Sequence, residues 1–212
     1  MITAQYNDLK LLSVWTSPAR SDLAHFIYQT VANNGNSTVY YIDATNRFPL
    51  KEFQQITSPN NKEVYDRIRI ITCLDLAELA VTVNKVVQVL NMDKIHRQQR
   101  QSDKDETSAA ENRTEILLVL QGLELMFRNT QLNCSPSESH LALRDLLLRL
   151  RAIANNTTSD SLILRTILTF PREELLKFMS RAANDSKRLK SSLINGNTLG
   201  EYVAKYYADI VI

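Results

Sequence analysis

The sequence predicts an α/β fold with a mainly parallel sheet covered by helices on both faces. Short β-branched and apolar runs alternate with segments in which apolar residues recur at helical spacing, the pattern of strand–helix–strand crossover units. Residues 115–120 form an almost uninterrupted apolar run, which predicts a central strand buried on both faces. The 212 residues and the 44% apolar content suit one domain that spans 1–212 and buries its own core.

In the first half of the chain, apolar runs and turn residues predict strands and helices in alternation. A helix follows Pro18, a second opens at Pro49, and a third, capped by Asp75 or Thr72, is expected to end near Asn91. The strands of this half are expected at 9–15, 38–42 and 67–71.

The second half begins with a polar segment, 93–113, in which only Ile95 is strongly apolar. Such a segment buries too little apolar surface to offset the conformational entropy that it would lose on ordering. We therefore expect a disordered loop there. The elements expected after the central strand are helices over 139–153, from Pro171 and over 199–207, a strand over 161–169, and a terminal β segment.

The composition excludes several classes of protein. Cys73 and Cys134 are too few for a disulfide framework and lack the Cys/His clustering of a zinc site. No apolar stretch approaches the roughly 18 residues of a membrane span, so the chain is expected to be soluble and intracellular, with no membrane partner. The net charge of +2 predicts no general attraction to nucleic acid, so any such binding must be local.

No catalytic, cofactor-binding or metal-binding residue is predicted, and we expect a protein that is not an enzyme. A phosphate-binding loop needs glycines and a lysine after the first strand, whereas residues 16–21 contain no glycine and Pro18 lacks an amide hydrogen. The central strand runs into Gln121, which has no charge for magnesium, and Glu124 is expected to lie at the surface. The three histidines are scattered and form no catalytic motif.

Two stretches resemble the eukaryotic RecA-type recombinases. The stretch YIDATNRFP, residues 41–49, is similar to the second-strand motif that carries the recombinase catalytic glutamate, and Thr45 stands at that glutamate's place. The stretch ILLVLQGLELMFR is similar to the strand that ends in the metal-associated aspartate. Gln121 replaces the aspartate, and Phe127 and Arg128 keep an aromatic–arginine pair. The resemblance implies a RecA-like core that lacks functional Walker motifs.

Five segments resemble, more closely, the family of chromosome-segregation-in-meiosis subunits of the yeast Shu complex. They are FPLKEFQ, RIRIITCLDLAELA, GLELMFRNTQ, SHLALRDLLLRLR and NTLGEYVAKYYAD. The resemblance implies a subunit without ATPase motifs that pairs with another RecA-like Shu subunit, binds DNA and helps to load recombinase in homologous recombination repair. It also implies contact with recombinase paralogues and with forked DNA or single/double-strand junctions. The implied compartment is the nucleus, with the cytoplasm left open.

In that family a basic loop precedes the N-G-x-x-L-x-E-Y segment, in the region that corresponds to a DNA-contacting loop of the recombinase. The corresponding basic loop here is 184–197. The resemblance implies DNA contact in this region. Between residues 177 and 190, Asp185 is the only acidic residue among the basic ones. The basic residues lie further upstream than in the family's pattern. From the residues alone, the alternative is a solvated loop that keeps the protein soluble, since charge runs usually do no more. The predicted DNA-binding residues are Lys177, Arg181, Lys187, Arg188 and Lys190.

Phe48 is the predicted partner-binding residue, because it is an aromatic side chain in a loop before Pro49. From the residues alone, a core side chain that staples the next helix is an equal alternative. The family resemblance favours contact with a recombinase-paralogue partner. The alternative function is a purely structural adaptor that bridges recombination proteins without touching DNA.

Overall fold

Parallel strands form the central sheet of the structure, a computed structural model that describes residues 11–33, 35–101, 114–157, 162–176 and 198–212. In chain order the strands are β1 (Leu12–Thr16), β2 (Ser37–Asp43), β3 (Ile68–Thr72), β4 (Thr114–Gln121), β5 (Leu162–Phe170) and β6 (Ile210–Val211). The helices are α1 (Arg20–Asn33), α2 (Leu50–Ile56), α3 (Lys62–Asp66), α4 (Leu76–Gln101), α5 (Leu123–Asn133), α6 (Pro136–Thr157) and α7 (Leu199–Tyr206).

Strand β4 confirms the prediction of a central strand buried on both faces. The order in the sheet is β3-β2-β4-β5-β1-β6, and Val119 of β4 lies opposite both Tyr41 of β2 and Ile167 of β5. Residues 116–120 are at most 2% exposed. A continuous apolar run suits this position because helices cover both faces of a parallel sheet. The strand order and direction confirm an α/β fold with a RecA-like core.

Two apolar cores lie on the two faces of the sheet. On one face, side chains of α4, α5, α6 and α7 pack on β1, β2, β4 and β5. On the other face, α1, α2 and α3 pack around Tyr41 and Phe53, both almost completely buried. The alternation of side chains along each strand therefore supplies both cores at once.

Helix α4 continues to Gln101, so the predicted helix end near Asn91 and the predicted loop over 93–101 are wrong. Residues 93–101 contain no glycine or proline and are rich in Lys, Arg and Gln, which favour helix. Extending a helix that is already formed needs no new nucleation and no apolar face. The rest of the predicted loop, 102–113, lies outside the described residues.

Other helices also differ from prediction at their beginnings. Helix α6 starts at Pro136 rather than near 139, because Ser135 and Glu138 form a reciprocal capping box, in which each backbone amide donates to the other's side chain. Helices α3 and α5 were not predicted. The helix expected from Pro171 begins as a short 3₁₀ turn, Arg172–Glu174, and its remainder beyond Leu176 lies outside the described residues.

Among the described helices, none combines the length and the apolar character that a membrane span requires.

Candidate functional site at the carboxyl edge of the sheet

The carboxyl ends of the parallel strands meet along one edge of the sheet, where α/β proteins bind their ligands. Thr16 of β1 lies opposite Phe170 of β5, and Gln121 of β4 lies between Asp43 of β2 and Thr169 of β5. The loops that leave these strands define the candidate site, which we call the carboxyl edge.

The turn after β1 is held by backbone hydrogen bonds within the sheet. The Ser17 amide donates to the Phe170 carbonyl at 2.8 Å, and the Thr16 amide donates to the Ile212 carbonyl at 2.8 Å. Ser17 has a positive φ of 43°, and α1 begins soon after it, at Arg20. A phosphate cradle needs several backbone amides directed at the anion, whereas these two amides are used inside the protein.

The loop after β2 is organised by the buried carboxylate of Asp43. Asp43 is 2% exposed, and its Oδ1 accepts hydrogen bonds from the amide and the hydroxyl of Thr45, both at 2.6 Å. Its Oδ2 accepts a hydrogen bond from the Arg47 amide. An Asp side chain that binds the backbone just ahead of it is a recurrent turn-forming device. The Thr45 hydroxyl, at the place where the resemblance puts the recombinase glutamate, is therefore used within the loop.

Gln121 and Gly122 complete the packing at the end of β4. The hydroxyl of the buried Tyr41 donates to Gln121 Oε1, and burial raises the pKa of Tyr41 far above its usual value. The Ala44 amide donates to the Gln121 carbonyl at 3.1 Å. Gly122 has a φ of 79°, and a Cβ there would lie only 2.8 Å from Thr45 Cγ2. Glycine is required because the backbone has a positive φ here and the loop after β2 packs directly against it.

Glu124, in the first turn of α5, is half-buried, so the expectation of a surface position is wrong. Its Oε2 is buried and finds no hydrogen-bond donor among the described residues. Burial raises the pKa of the Glu124 carboxyl and the charge of Glu174 adds to the shift, whereas Arg128 and Arg47 oppose it. The local sequence gives no sign of this burial, because the covering residues come from other loops.

Glu174 and Thr198 join two distant parts of the chain at the carboxyl edge. The Thr198 hydroxyl donates to the Glu174 carbonyl, and the Gly200 amide donates to Glu174 Oε2 at 3.1 Å. Thr198 also caps α7, because its hydroxyl accepts a hydrogen bond from the Glu201 amide at 3.3 Å. We call this contact the β5–α7 junction. It holds the two described ends that flank residues 177–197 next to each other, just beyond β5.

The predicted DNA-binding residues and the predicted basic loop 184–197 lie outside the described residues. These side chains are Lys177, Arg181, Lys187, Arg188 and Lys190. The structure therefore describes only the residues on either side of this segment, up to Leu176 and from Thr198. The role of the five basic residues in DNA contact stays a prediction.

Phe48 lies half-buried in the loop before α2. Its ring is edge-on to Tyr41, with 5.0 Å between centroids, and lies 5.9 Å from the ring of Phe53. Pro49 occupies the N-cap position of α2, so Phe48 and Phe53 stand at the two positions of a hydrophobic staple. The staple contact is therefore present. Contact with a partner stays a prediction, and the ring is not fully covered by its own chain.

In the part of the chain that the structure describes, no three His, Cys, Asp or Glu side chains lie close enough to hold a metal ion. The fold and the carboxyl edge together define a class of protein. It is a RecA-like α/β domain in which Asp43 binds Thr45 within the loop after β2, and Tyr41 binds Gln121 from β2 to β4.

Comparison with known proteins identifies the family. The model of the family described as "Shu complex component Csm2, DNA-binding" matches residues 12–208, and the chain belongs to this family. The chain is 42% identical to Chromosome segregation in meiosis protein 2 of Saccharomyces cerevisiae, over 97% of this chain and 98% of the relative. Proteins of the same name from Candida glabrata and Eremothecium gossypii are 34% and 31% identical. They cover 98% and 81% of this chain, and 97% and 83% of their own lengths. Family membership implies a heteromeric complex and contact with DNA.

The close approach at Gly122 generates a first prediction. Gly122→Ala should lower the free energy of unfolding by about 2–4 kcal/mol, because a side chain at positive φ is strained and its Cβ collides with Thr45 Cγ2. Thr45→Ser removes that methyl group and keeps the hydroxyl for Asp43, so it should restore part of the loss in the double variant. Urea unfolding measures both effects. Gly35→Ala is the control, since a Cβ at Gly35 meets nothing within 4 Å. Equal losses at Gly35 and Gly122 would contradict the packing described.

The burial of Glu124 generates a second prediction, on pH dependence. A raised pKa means that the folded protein holds the Glu124 proton more tightly than the unfolded chain, so Glu124 destabilises the fold as the pH rises above the ordinary value of 4.5. Glu124→Gln keeps the shape and removes the titration. The variant should therefore gain stability over the native protein when unfolding is measured at about pH 7 rather than about pH 4.

The matched control for this prediction is Glu173→Gln, which changes an exposed carboxyl group next to the same edge. It measures how far the loss of one exposed carboxyl group changes the pH profile of unfolding, and the change in Glu124→Gln should exceed it. Parallel profiles for Glu124→Gln and the native protein would show that Glu124 is not held in its buried setting.

Proposed function

We propose that the chain is a non-catalytic subunit of a DNA-binding heteromeric complex that assists recombinase loading in homologous recombination repair. The observation that carries the proposal is the match of a DNA-binding Shu component family to residues 12–208, which span the sheet from β1 to the end of α7. The RecA-like core gives it a shape that can pair with another RecA-like Shu subunit. Its proposed place of action is the nucleus, with the cytoplasm left open.

The charge distribution supports DNA contact through the segment between β5 and α7. Residues 177–190 contain five basic residues and one acidic residue, a net charge of +4, against +2 for the whole chain. The rest of the chain is therefore net acidic, and the positive charge is local. The β5–α7 junction places the two described ends that flank this segment next to each other at the carboxyl edge. Forked DNA or a single/double-strand junction is the proposed ligand.

Removing part of this charge generates a third prediction. The triple variant Lys187→Ala, Arg188→Ala, Lys190→Ala should bind forked DNA more weakly, because fewer phosphates are neutralised. The slope of log K against log salt should fall by up to about 3, since each phosphate contact contributes about 0.9. Fluorescence anisotropy of the purified complex over a range of salt concentrations measures both quantities.

The matched control for the triple variant removes three exposed basic residues elsewhere, Lys62, Arg69 and Lys85, which lie on α3, β3 and α4. The control variant has the same net charge as the triple variant. It therefore separates the loss of a local contact with DNA from the effect of a lower net charge on the whole protein. If the two variants bind alike, or if the first binds as the native complex does, the segment is not the DNA contact.

The proposal that the subunit is non-catalytic rests on how the carboxyl edge uses its polar groups. Thr45 and Gln121, at the places of the two recombinase acids, bind Asp43 and Tyr41 instead. Neither side chain carries a charge with which to hold a metal ion. Saturable binding of ATP by the isolated chain would count against this part of the proposal.

Phe48 is the proposed contact with a recombinase-paralogue partner, and it generates a fourth prediction. Phe48→Ala should reduce co-purification of the partner, because an aromatic side chain in a loop is a typical anchor of an interface. The control is Tyr28→Ala, which removes another half-buried ring that contacts Phe53, at 6.4 Å, but lies on α1. Thermal unfolding of both variants separates loss of packing from loss of contact. Equal loss of the partner in both variants would mean that Phe48 acts through packing alone.

The same pair of experiments separates this proposal from the structural adaptor. An adaptor predicts that the triple charge variant is silent while Phe48→Ala disrupts the assembly. If the subunit contacts DNA, the triple charge variant should lose DNA binding and keep the partner, and Phe48→Ala should lose the partner and keep DNA binding. Family membership, with its DNA-binding description, favours the second outcome.

A further inference from the structure

A cluster of aromatic rings lies where α7 packs against α5 and α6. Tyr202 is at its centre, with the ring centroids of Tyr206, Tyr207 and His140 at 5.3, 5.6 and 6.2 Å. His140 also contacts Phe127, with 5.0 Å between centroids. We call these five residues the aromatic cluster. Neither the carboxyl edge nor the contacts proposed above make use of it.

The inner rings of the aromatic cluster hold the outer rings in place. Phe127 and Tyr207 are only 8% and 6% exposed and belong to the core. The hydroxyls of Tyr202 and Tyr207 lie 3.2 Å apart and share a hydrogen bond. The outer residues face solvent, since Tyr206 is 41% exposed and His140 is also exposed. The aromatic cluster therefore exposes Tyr206 and His140 to solvent, and its buried rings fix their positions.

Cations border the exposed side of the aromatic cluster. The Lys205 ammonium lies over the Tyr206 ring in a cation–π contact, 5.0 Å from the ring centroid, so a base must stack on the other face of the ring or displace the lysine. Arg144 stands one helical turn after His140 on α6, and its charge acts on the hydroxyl of Tyr207. Lysine and arginine side chains in these positions can meet an anion that approaches the exposed rings.

The carboxylates near the aromatic cluster are engaged with other groups. Asp209 accepts hydrogen bonds from the Arg151 guanidinium at 2.9 Å and from the Leu12 amide at 3.0 Å. Asp145 lies 3.4 Å from Arg144, but both side chains are more than half exposed, where ion pairs are weak and exchange readily. These two carboxylates therefore do not make the electrostatic potential at the aromatic cluster strongly negative.

Exposed aromatic rings beside lysine and arginine are what single-stranded nucleic acid requires, because its bases stack on the rings while its phosphates meet the cations. The β5–α7 junction ends at Thr198, one helical turn before Tyr202. We propose that the aromatic cluster is a stacking platform for unpaired bases of single-stranded DNA, with Tyr206 as the outer ring and Lys205 and Arg144 beside the backbone. This inference rests on the proposed function and adds a second contact to it.

The test uses the full chain in complex with its Shu partner, and compares oligothymidine with an abasic oligomer of the same length. Tyr206→Ala should weaken oligothymidine binding at least about fivefold, the lower range for one base stacked on an aromatic side chain. Binding of the abasic oligomer, which has phosphates but no bases, should not change. Tyr206→Phe keeps the ring and should bind oligothymidine as the native complex does.

Two further variants sharpen this test. Tyr65→Ala removes a half-buried tyrosine from α3, on the other face of the sheet, and should bind both oligomers normally. Tyr206→Trp provides a fluorescent reporter, because the native Trp15 is only 7% exposed. Its emission should be quenched by oligothymidine and not by the abasic oligomer.

Equal weakening for both oligomers, or no weakening for either, overturns the stacking platform. Loss of the Shu partner from Tyr206→Ala, with native affinity for oligothymidine in the complex that remains, identifies a protein interface and also overturns it. If the triple charge variant loses DNA binding and Tyr206→Ala does not, the platform fails and the proposed function stands. If only Tyr206→Ala loses binding, the platform stands and the basic segment fails.

Discussion

Strand β4 is hydrogen-bonded on both sides, to β2 and to β5, and the other elements take their positions from that pairing. Because the paired strands run in the same direction, their carboxyl ends collect at one edge and the crossover helices must cover both faces. The apolar residues 116–120 meet this demand, with α4–α7 on one side and α1–α3 on the other. The same register sets Asp43 beside Gln121, so the carboxyl edge is a consequence of the pairing.

At that edge the side chains of Asp43 and Gln121 already have hydrogen-bond partners within the fold. The carboxylate of Asp43 is fully used by the loop that follows it, and Gln121 accepts the hydroxyl of Tyr41. Buried polar groups are costly to leave unpaired, so a nucleotide or metal at this edge would have to replace bonds that the fold already makes. The contacts that we propose with DNA and with a partner lie elsewhere, in the segment that the β5–α7 junction flanks and in the loop that holds Phe48.

The strands could be predicted because a buried, pleated run is a local pattern, as 38–42 and 115–120 show. The end of α4 could not, because a formed helix extends through polar residues at little cost. Helix α5 was missed since only Gly122 separates it from β4, and the two apolar patterns merge. At the site, resemblance identified Thr45 and Gln121. The burial of Glu124 and the β5–α7 junction depend on contacts between residues distant in sequence, which no local pattern contains.

The charge distribution relates the two DNA contacts that we propose for this chain. Residues 177–190 carry a net charge of +4 on a chain whose total is only +2, so the rest of the chain has a net charge of −2. Phosphate contacts of this kind depend on counterion release and weaken steeply as salt rises. Base stacking releases no counterions, so stacking on the platform that we propose, one helical turn from Thr198 of the β5–α7 junction, would add affinity that salt does not remove. In a subunit with a low net positive charge, stacking therefore supplies a larger share of the affinity for DNA than it does in a strongly basic subunit.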